Sequence, residues 1–360
     1  MNTAADTLES LMTSWGGETL VLRRDKPTGA WLIVALYSTR ANGSGGGTRM
    51  RVYPDLSAAV RDAQRLAEGM AAKFAICRMA FGGGKAVIAL PSGFAEHERP
   101  ALLRRYGELV QSLSGRFVTA PDVGTAPADM DIIAETGAPY ILARTEATGG
   151  VGDSSGPTAV GVLAGIQATC AVVFGDASLS GRRILVQGAG SVGGRLLELL
   201  AEAGAEPLFS DVNPEAIARY RDQAGYTFVD PNAIYDADCD IFAPCALGAV
   251  LNAATIPHLR CQAVAGAANN QLATPDDANR LRERGILYAP DYVINLGGAM
   301  GLVGLERLGW TRAEANQRVA TAVAEALGEV YALADREHSN TFAAAQRIVE
   351  QRLHEETPAP

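Results

Sequence analysis

Along the first part of the chain the spacing of apolar positions changes period several times, and each change marks an element. Residues 18–38, ETLVLRRDKPTGAWLIVALYS, read as two strands about a Lys-Pro-Thr-Gly turn. The glycine-rich stretch 41–48, ANGSGGGT, reads as a flexible loop. From Leu56 to about Ala75, the positions Ala59, Val60, Ala63, Leu66 and Met70 recur at helical spacing, which puts Lys73 in or just beyond the last turn. FGGGK (81–85) leads into a short apolar strand, AVIAL (86–90), and then a helix over roughly 98–114. RFVTAPDVGT (116–125) predicts a strand running into a loop, and PADMDIIAET a helix.

Near Gly149 the texture changes to GGVGDSSG, a hinge. Beyond it helix and strand alternate. TAVGVLAGIQATCAVV is helical, RILVQG a strand, SVGGRLLELLAEAG a helix and EPLFSD a strand. Further buried strands are predicted at DIFAP (240–244), AVAGA (263–267) and ILYAP (286–290), and closing helices at 312–333 and 341–356. Strands separated by helices imply an α/β fold with a parallel sheet and crossover helices. A chain of 360 residues exceeds what one core usually spans, so two domains are expected.

Composition narrows the class of molecule. A net charge of −9 argues against a nucleic-acid binder, which needs a basic surface. Five scattered cysteines without a CxxC pair read as thiols in a reducing compartment, and four histidines without ligand spacing argue against a metal site. No basic-then-apolar leader opens the chain and no run approaches ~20 apolar residues, so a cytoplasmic protein without a membrane partner is expected. The most telling count is 28 arginines against three lysines, Lys26, Lys73 and Lys85. Arginine cannot replace lysine where an amine must lose its proton near neutral pH, which singles out Lys73 and Lys85 in their glycine-rich setting.

The run Gly188-Ala189-Gly190-Ser191-Val192-Gly193 matches GxGxxG, with a strand (RILVQ) before it and a helix after it. Such glycines allow the tight turn, the approach of a pyrophosphate and close helix–strand contact, while the helix N-terminus offers N–H groups to phosphate. Asp211 closes the next strand, 18 residues after Gly193. A carboxylate there accepts from both adenosine ribose hydroxyls and repels a 2′-phosphate, favouring NAD over NADP. Its alternative role is a helix cap before Asn213-Pro214.

Gly82, Gly83 and Gly84 either let the backbone approach a ligand beside Lys85 or form an ordinary tight turn. Lys73 and Lys85 could depress each other's basicity, one staying charged to hold a carboxylate while the other titrates as a general base. Asp122, in a loop after an apolar strand, could equally stabilise a turn.

The stretches GGTRM (46–50), GMAAK (69–73), GGGKAVI (82–88), APDVGT (120–125), DMD (129–131), GAGSVGG (188–194), APCALG (243–248), AGAANNQL (265–272) and ILYAPDYVINLGG (286–298) occur in one order over nearly the whole chain. With them the chain resembles the amino-acid dehydrogenases that include leucine, valine and phenylalanine dehydrogenases. The resemblance implies reversible oxidative deamination of an L-amino acid to its 2-oxo acid and ammonia, with NAD accepting the hydride. It implies Lys73 as the carboxylate lysine, Lys85 as general base, and Asp122 as the acid that shuttles the amino-group proton. Gly45, Gly46, Asn270, Asn295, Ala299 and Leu302 match substrate positions. Arg49, Ser154, Thr158, Val212, Cys245, Ala246, Ala267 and Asn269 match cofactor positions, beside the glycine loop and Asp211. It also implies a homo-oligomer and two domains around a cleft. The expected parts are an N-terminal α/β catalytic domain over 1–148, rejoined by a C-terminal helix over 341–360, and a Rossmann-type NAD-binding domain over 149–340.

One departure bears on the substrate. Many family members carry an LGPALGG-like stretch where this chain has Ala41-Asn-Gly-Ser-Gly-Gly-Gly47, so Gly45 stands where branched-chain enzymes have a larger apolar residue. Ala299 and Leu302 lie closer to the phenylalanine type. Less bulk predicts room for a larger side chain, phenylalanine first and leucine or valine second, at about 1–3 kcal/mol of selectivity. The absence of a spare lysine beside the loop argues against glutamate. Two other readings stay open: an imine or oxo-acid reductase of specialised metabolism, and a non-catalytic NAD-binding sensor, whose mark would be loss of Lys85 or Asp122.

Overall fold

The structure, a computed structural model, describes residues 8–355. Two compact units divide the chain. The first comprises Met1–Asp153, Glu306–Leu308 and Arg352–Pro360, and the second Ser154–Leu305 and Gly309–Gln351. The break at Asp153 falls inside the expected glycine hinge, where Gly149 and Gly152 adopt left-handed φ values of 82° and 75°.

In the first unit, helix α1 (Leu8–Thr13) precedes strands β1 (Thr19–Arg24), β2 (Trp31–Leu36) and β3 (Ser44–Val52). Helix α2 (Leu56–Ile76), β4 (Gly82–Leu90), α3 (Arg99–Ser112), β5 (Phe117–Pro121) and α4 (Pro127–Gly137) follow. The sheet order is β1-β2-β4-β3-β5, antiparallel across β1, β2 and β4, and parallel across β4, β3 and β5. Strand β2 shows why its sequence, WLIVAL, is apolar throughout. Ile33 and Ala35 pack on Ala59, Val60 and Ala63 of α2. The alternate residues Leu32, Val34 and Leu36 join Leu102, Leu103 and Tyr106 of α3 and Met130 and Ile133 of α4. A strand covered on both faces has no polar side to show.

Two expectations for this unit are corrected. Residues 44–48 are not a loop, because they open β3, paired on both sides. Nor do Gly82–Gly84 form a turn. They begin β4, and a Cβ on Gly83 would overlap Ala71 N and Ala67 O of α2, so glycine lets the helix backbone lie against the strand. The buried face of α2 also differs from the expected stripe: Ala59, Val60, Ala63, Gln64, Ala67, Ala71 and Phe74 are buried, whereas Leu66 and Met70 are half-buried.

The second unit opens with α5 (Ser155–Phe174), then β6 (Arg183–Gln187), α6 (Ser191–Glu202), β7 (Glu206–Ser210), α7 (Pro214–Arg221) and β8 (Thr227–Phe228). Strands β9 (Ile241–Pro244), β10 (Ala263–Val264) and β11 (Leu287–Tyr288) flank α8 (Asp277–Glu283), and α9 (Asp291–Ile294), α10 (Gly297–Arg307), α11 (Arg312–Arg336) and α12 (Thr341–His354) close the chain. All six strands are parallel, in the order β11-β10-β9-β6-β7-β8. Numbered within the unit this is 3-2-1-4-5-6, whose switch point lies between β6 and β9. Among the described residues α5 alone is long and apolar enough to cross a membrane, at mean hydropathy 1.7, and it packs on α6 and α11 as a core helix of this unit.

The C-terminal helix differs from the expected segment 341–360. Its start belongs to the second unit, where Thr341 Oγ1 donates to the Tyr288 carbonyl (2.6 Å) and Phe342 packs on the Leu185–Phe242 core. From Arg352 the chain counts with the first unit, and that guanidinium donates to the Ala75 and Ile76 carbonyls at the end of α2. Residues 356–360 of that segment lie outside the described residues.

Candidate active site

Strand β4 carries Lys85 inward, and β3 and the turn after β5 bring Arg49 and Asp122 to it. Lys85 Nζ lies 2.6 Å from Asp122 Oδ2, and Arg49 Nε donates to the same oxygen at 3.2 Å. Arg49 Nη1 also meets Asp62 of α2 (3.0 Å), which accepts from the Tyr53 hydroxyl (2.7 Å) and from Arg65 (2.9 Å). Thr125 fixes the turn: its hydroxyl accepts from Asp122 N (2.9 Å) and donates to the Thr48 carbonyl (2.8 Å). A Cβ on Gly47 would stand 3.0 Å from Asp122 Cβ and 3.3 Å from Lys85 Nζ, so glycine keeps this wall clear.

Burial pulls the Lys85 amine below the ordinary lysine range, the charge of Asp122 opposes that pull, and Arg49 adds to it. For Asp122 burial pushes upward, but Lys85 and Arg49 outweigh it and hold the carboxylate below its usual value. Arg49 is thus a cation that acts on Lys85 in this geometry. Asp62, Tyr53 and Thr125 were missed by sequence reasoning. Asp62 had a signal, since it interrupts the apolar spacing of α2 between Ala59 and Leu66.

Lys73 lies in the last turn of α2. Asp62, Leu66, Met70 and Lys73 recur at spacings of four, four and three and are all half-buried, a single stripe of the helix. Its members Asp62 and Met70 reach β3, Asp62 at Arg49 and Met70 Cγ 3.4 Å from where a Cβ of Gly46 would stand. The stripe therefore aims Lys73 toward the wall that bears Lys85. Gly45 is buried, and the room it was expected to leave is filled: a Cβ there would meet Phe74 Cε2 and Cζ at 3.0 Å.

In the second unit the glycine loop joins β6 to α6. Gly188 (φ 96°) and Gly193 are forced, because a Cβ on Gly188 would stand 2.6 Å from Ala246 Cβ, and one on Gly193 would overlap the Gly188 carbonyl and approach Cys245 Cβ at 3.3 Å. A Cβ on Gly190 would meet nothing within 4 Å, so this loop presents an open face ahead of the α6 N-terminus, where Ser191 and Val192 begin the helix. Asp211 accepts from Ala189 N (2.6 Å) and Asn213 N (2.8 Å). The cap of α7 is Asn213, which accepts from Glu215 N, and not Asp211. Val212 is 82% exposed beside it. An open loop, a helix N-terminus and a strand-end carboxylate form a cradle that fits a dinucleotide.

Cys245 and Ala246 thus lie against the glycine loop, with the Cys245 thiol pushed by burial up to about 12. Asn295 Nδ2 donates to the Ala267 carbonyl (3.0 Å) and to Asn269 Oδ1 (2.8 Å), while its Oδ1 is buried without a partner among the described residues. Asn270 is exposed at φ 53°, and its carbonyl accepts from Ala249 N (2.7 Å). Thr158 Oγ1 donates to the Ser154 carbonyl (2.7 Å), and a Cβ on Gly298 would meet that hydroxyl at 2.5 Å. Ala299 is half-buried and Leu302 buried in α10.

A unit with a 3-2-1-4-5-6 parallel sheet and this loop, and a separate unit in which a buried lysine pairs with a carboxylate, define a two-domain dehydrogenase of the dinucleotide-dependent kind. The chain belongs to the Glu/Leu/Phe/Val dehydrogenase family. Its dimerisation-domain profile matches residues 30–138 and the Glutamate/Leucine/Phenylalanine/Valine dehydrogenase profile residues 209–359. A leucine dehydrogenase of Geobacillus stearothermophilus is 40% identical over 342 residues, 95% of this chain and 92% of that one. A phenylalanine dehydrogenase of Bacillus thermotolerans is 39% identical over 343 residues, covering 93% and 88%. Among solved structures, the L-tryptophan dehydrogenase of Nostoc punctiforme superposes with a TM-score of 0.83 at 35% identity, over 96% of this chain and 98% of that chain. The protein is accordingly an amino-acid dehydrogenase, an oxidoreductase acting on CH–NH2, in a family that depends on NAD(P).

Proposed function

We propose that the protein catalyses reversible, NAD-dependent oxidative deamination of an apolar L-amino acid, releasing the 2-oxo acid and ammonia. The observation that carries this reading is the pairing of buried Lys85 with half-buried Asp122, an amine held below its ordinary basicity 2.6 Å from a carboxylate. Lys73 binds the substrate carboxylate, Asp122 exchanges the amino-group proton, and neutral Lys85 takes the proton of the water that adds to the iminium carbon. The bound nicotinamide supplies the hydride acceptor. Ala189 N and Asn213 N orient Asp211 for the ribose hydroxyls, which favours NAD over NADP. Asn295 Oδ1 offers a buried acceptor to a ligand N–H.

Phenylalanine stands first and leucine or valine second, because Ala299 adds little bulk. The margin is narrow, since Phe74 refills the space above Gly45. The dimerisation-domain match supports assembly as a homo-oligomer through the first unit, and the free cysteines suit the reducing cytoplasm. The test is a panel following NADH with the twenty L-amino acids, and with 2-oxo acids plus ammonia in reverse. Turnover of phenylalanine, leucine and valine within about a hundredfold of one another is expected. Reduction of an oxo acid without ammonia would sink the mechanism.

A further inference from the structure

We infer that Phe74 sets the size of the substrate side chain this enzyme accepts, standing in for the side chain that Gly45 lacks. The inference rests on the reading of Lys73, Lys85 and Asp122 given above. A Cβ at position 45 would lie 3.0 Å from two carbons of the Phe74 ring, closer than ordinary van der Waals contact, so the ring already occupies the volume into which a residue-45 side chain would point. Phe81 backs it, with ring centroids 5.7 Å apart at 36°. Both rings are buried, at 2% and 3% exposure, so the placement is fixed by close contact rather than by a mobile rotamer.

The site lies close by on the same strand. Two residues further along β3, about 6–7 Å by strand rise, a Cβ on Gly47 would meet Lys85 Nζ and Asp122 Cβ. Phe74 also directly follows Lys73. The ring thus packs on the strand that leads to the base, one residue along α2 from the lysine assigned to the substrate carboxylate, and on that assignment it borders the substrate's side chain. An aromatic wall there suits an apolar side chain and offers no partner to a charged one. Selectivity thus comes from helix α2 and not from the strand.

The test compares the wild type with Phe74→Leu, Phe74→Ala and the double variant Gly45→Leu/Phe74→Ala, as kcat/KM for valine, leucine, phenylalanine and tryptophan, with melting curves to select folded proteins. Phe74→Ala should raise the phenylalanine-to-valine and tryptophan-to-valine ratios about tenfold or more, Phe74→Leu should move both in the same direction by less, and adding Gly45→Leu should return them toward the wild type. Should Phe74→Ala fail to fold, the folded Phe74→Leu enzyme decides. Ratios within twofold of the wild type in Phe74→Leu, or an equal loss on all four substrates, overturn the inference. A wild type that favours valine over phenylalanine removes the proposed substrate order instead, and the ratio shift still decides the role of Phe74.

Discussion

Lys85 Nζ and Asp122 Oδ2 stand 2.6 Å apart, within direct proton-transfer reach, on a wall where the lysine side chain is 8% exposed and the aspartate 21%. The difference in exposure separates their tasks. The amine is the group whose charge burial disfavours, and the carboxylate is held below its usual range by Arg49 and by the protonated form of Lys85.

Replacing Lys85 by methionine keeps the unbranched apolar stem of the side chain and removes the base. The kcat of deamination should fall about 10²–10⁴-fold, the usual worth of a positioned general base. NADH binding, followed by fluorescence titration, should persist, because the cradle around Gly190 and Asp211 lies in the other unit. An unchanged kcat would remove Lys85 from the mechanism.

The charges around Lys85 predict opposite pH responses. As a base it must be neutral, so the deamination rate should rise with pH to a plateau, with a midpoint below the ~10.4 of an unperturbed lysine. Asp122 favours the ammonium and Arg49 disfavours it. Asp122→Asn should therefore move the Lys85 titration toward acid, and Arg49→Met toward alkali. Three lysines in the chain make this readable by NMR of labelled lysine, free of the activity loss that either variant causes. Shifts of the same sign in both variants would contradict the assignment.

How much of this was legible beforehand follows from particular residues. Long apolar-periodic helices and the RILVQ-loop-helix unit announce themselves, because their pattern and their end signals agree. Strand β3 did not, since Gly45, Gly46 and Gly47 carry the composition of a loop, and only the neighbouring strands and α2 show that they are paired sheet. Helix α10 was missed for a related reason. Its glycines oppose helix propensity, yet a Cβ on Gly301 would overlap Pro157, and one on Gly304 would overlap the Trp310 ring. Lys85 and Asp122 stood out in the sequence, but their link through Arg49 to Asp62 and Tyr53 spans four separate segments and has no local signature.

Lys73 should behave differently from Lys85. A carboxylate contact is made in the ground state and the transition state alike, so Lys73→Ala should chiefly raise KM for the amino acid, by about tenfold or more, with a smaller effect on kcat. The half-buried stripe Asp62–Leu66–Met70–Lys73 predicts that Arg at position 73 rescues only partly, because a guanidinium is longer and planar where the helix end brings a compact amine. Steady-state kinetics on both variants decide this. An Arg variant with the wild-type KM would place the carboxylate elsewhere.

Asp211 links two features of the cofactor cradle. Its carboxylate accepts from Ala189 N in the glycine loop and from Asn213 N before α7, so it both shapes the loop and presents negative charge at the end of β7. Asp211→Asn keeps the shape of the side chain but loses the charge, and its amide can no longer accept at both ends. KM for NAD should rise by about tenfold, the worth of one charge-assisted hydrogen bond. KM for NADP should change less or fall, because the repulsion of its 2′-phosphate is relieved. The NAD-to-NADP ratio of kcat/KM should therefore fall in Asp211→Asn. A variant that kept the full preference for NAD would show that the ribose is read by another group.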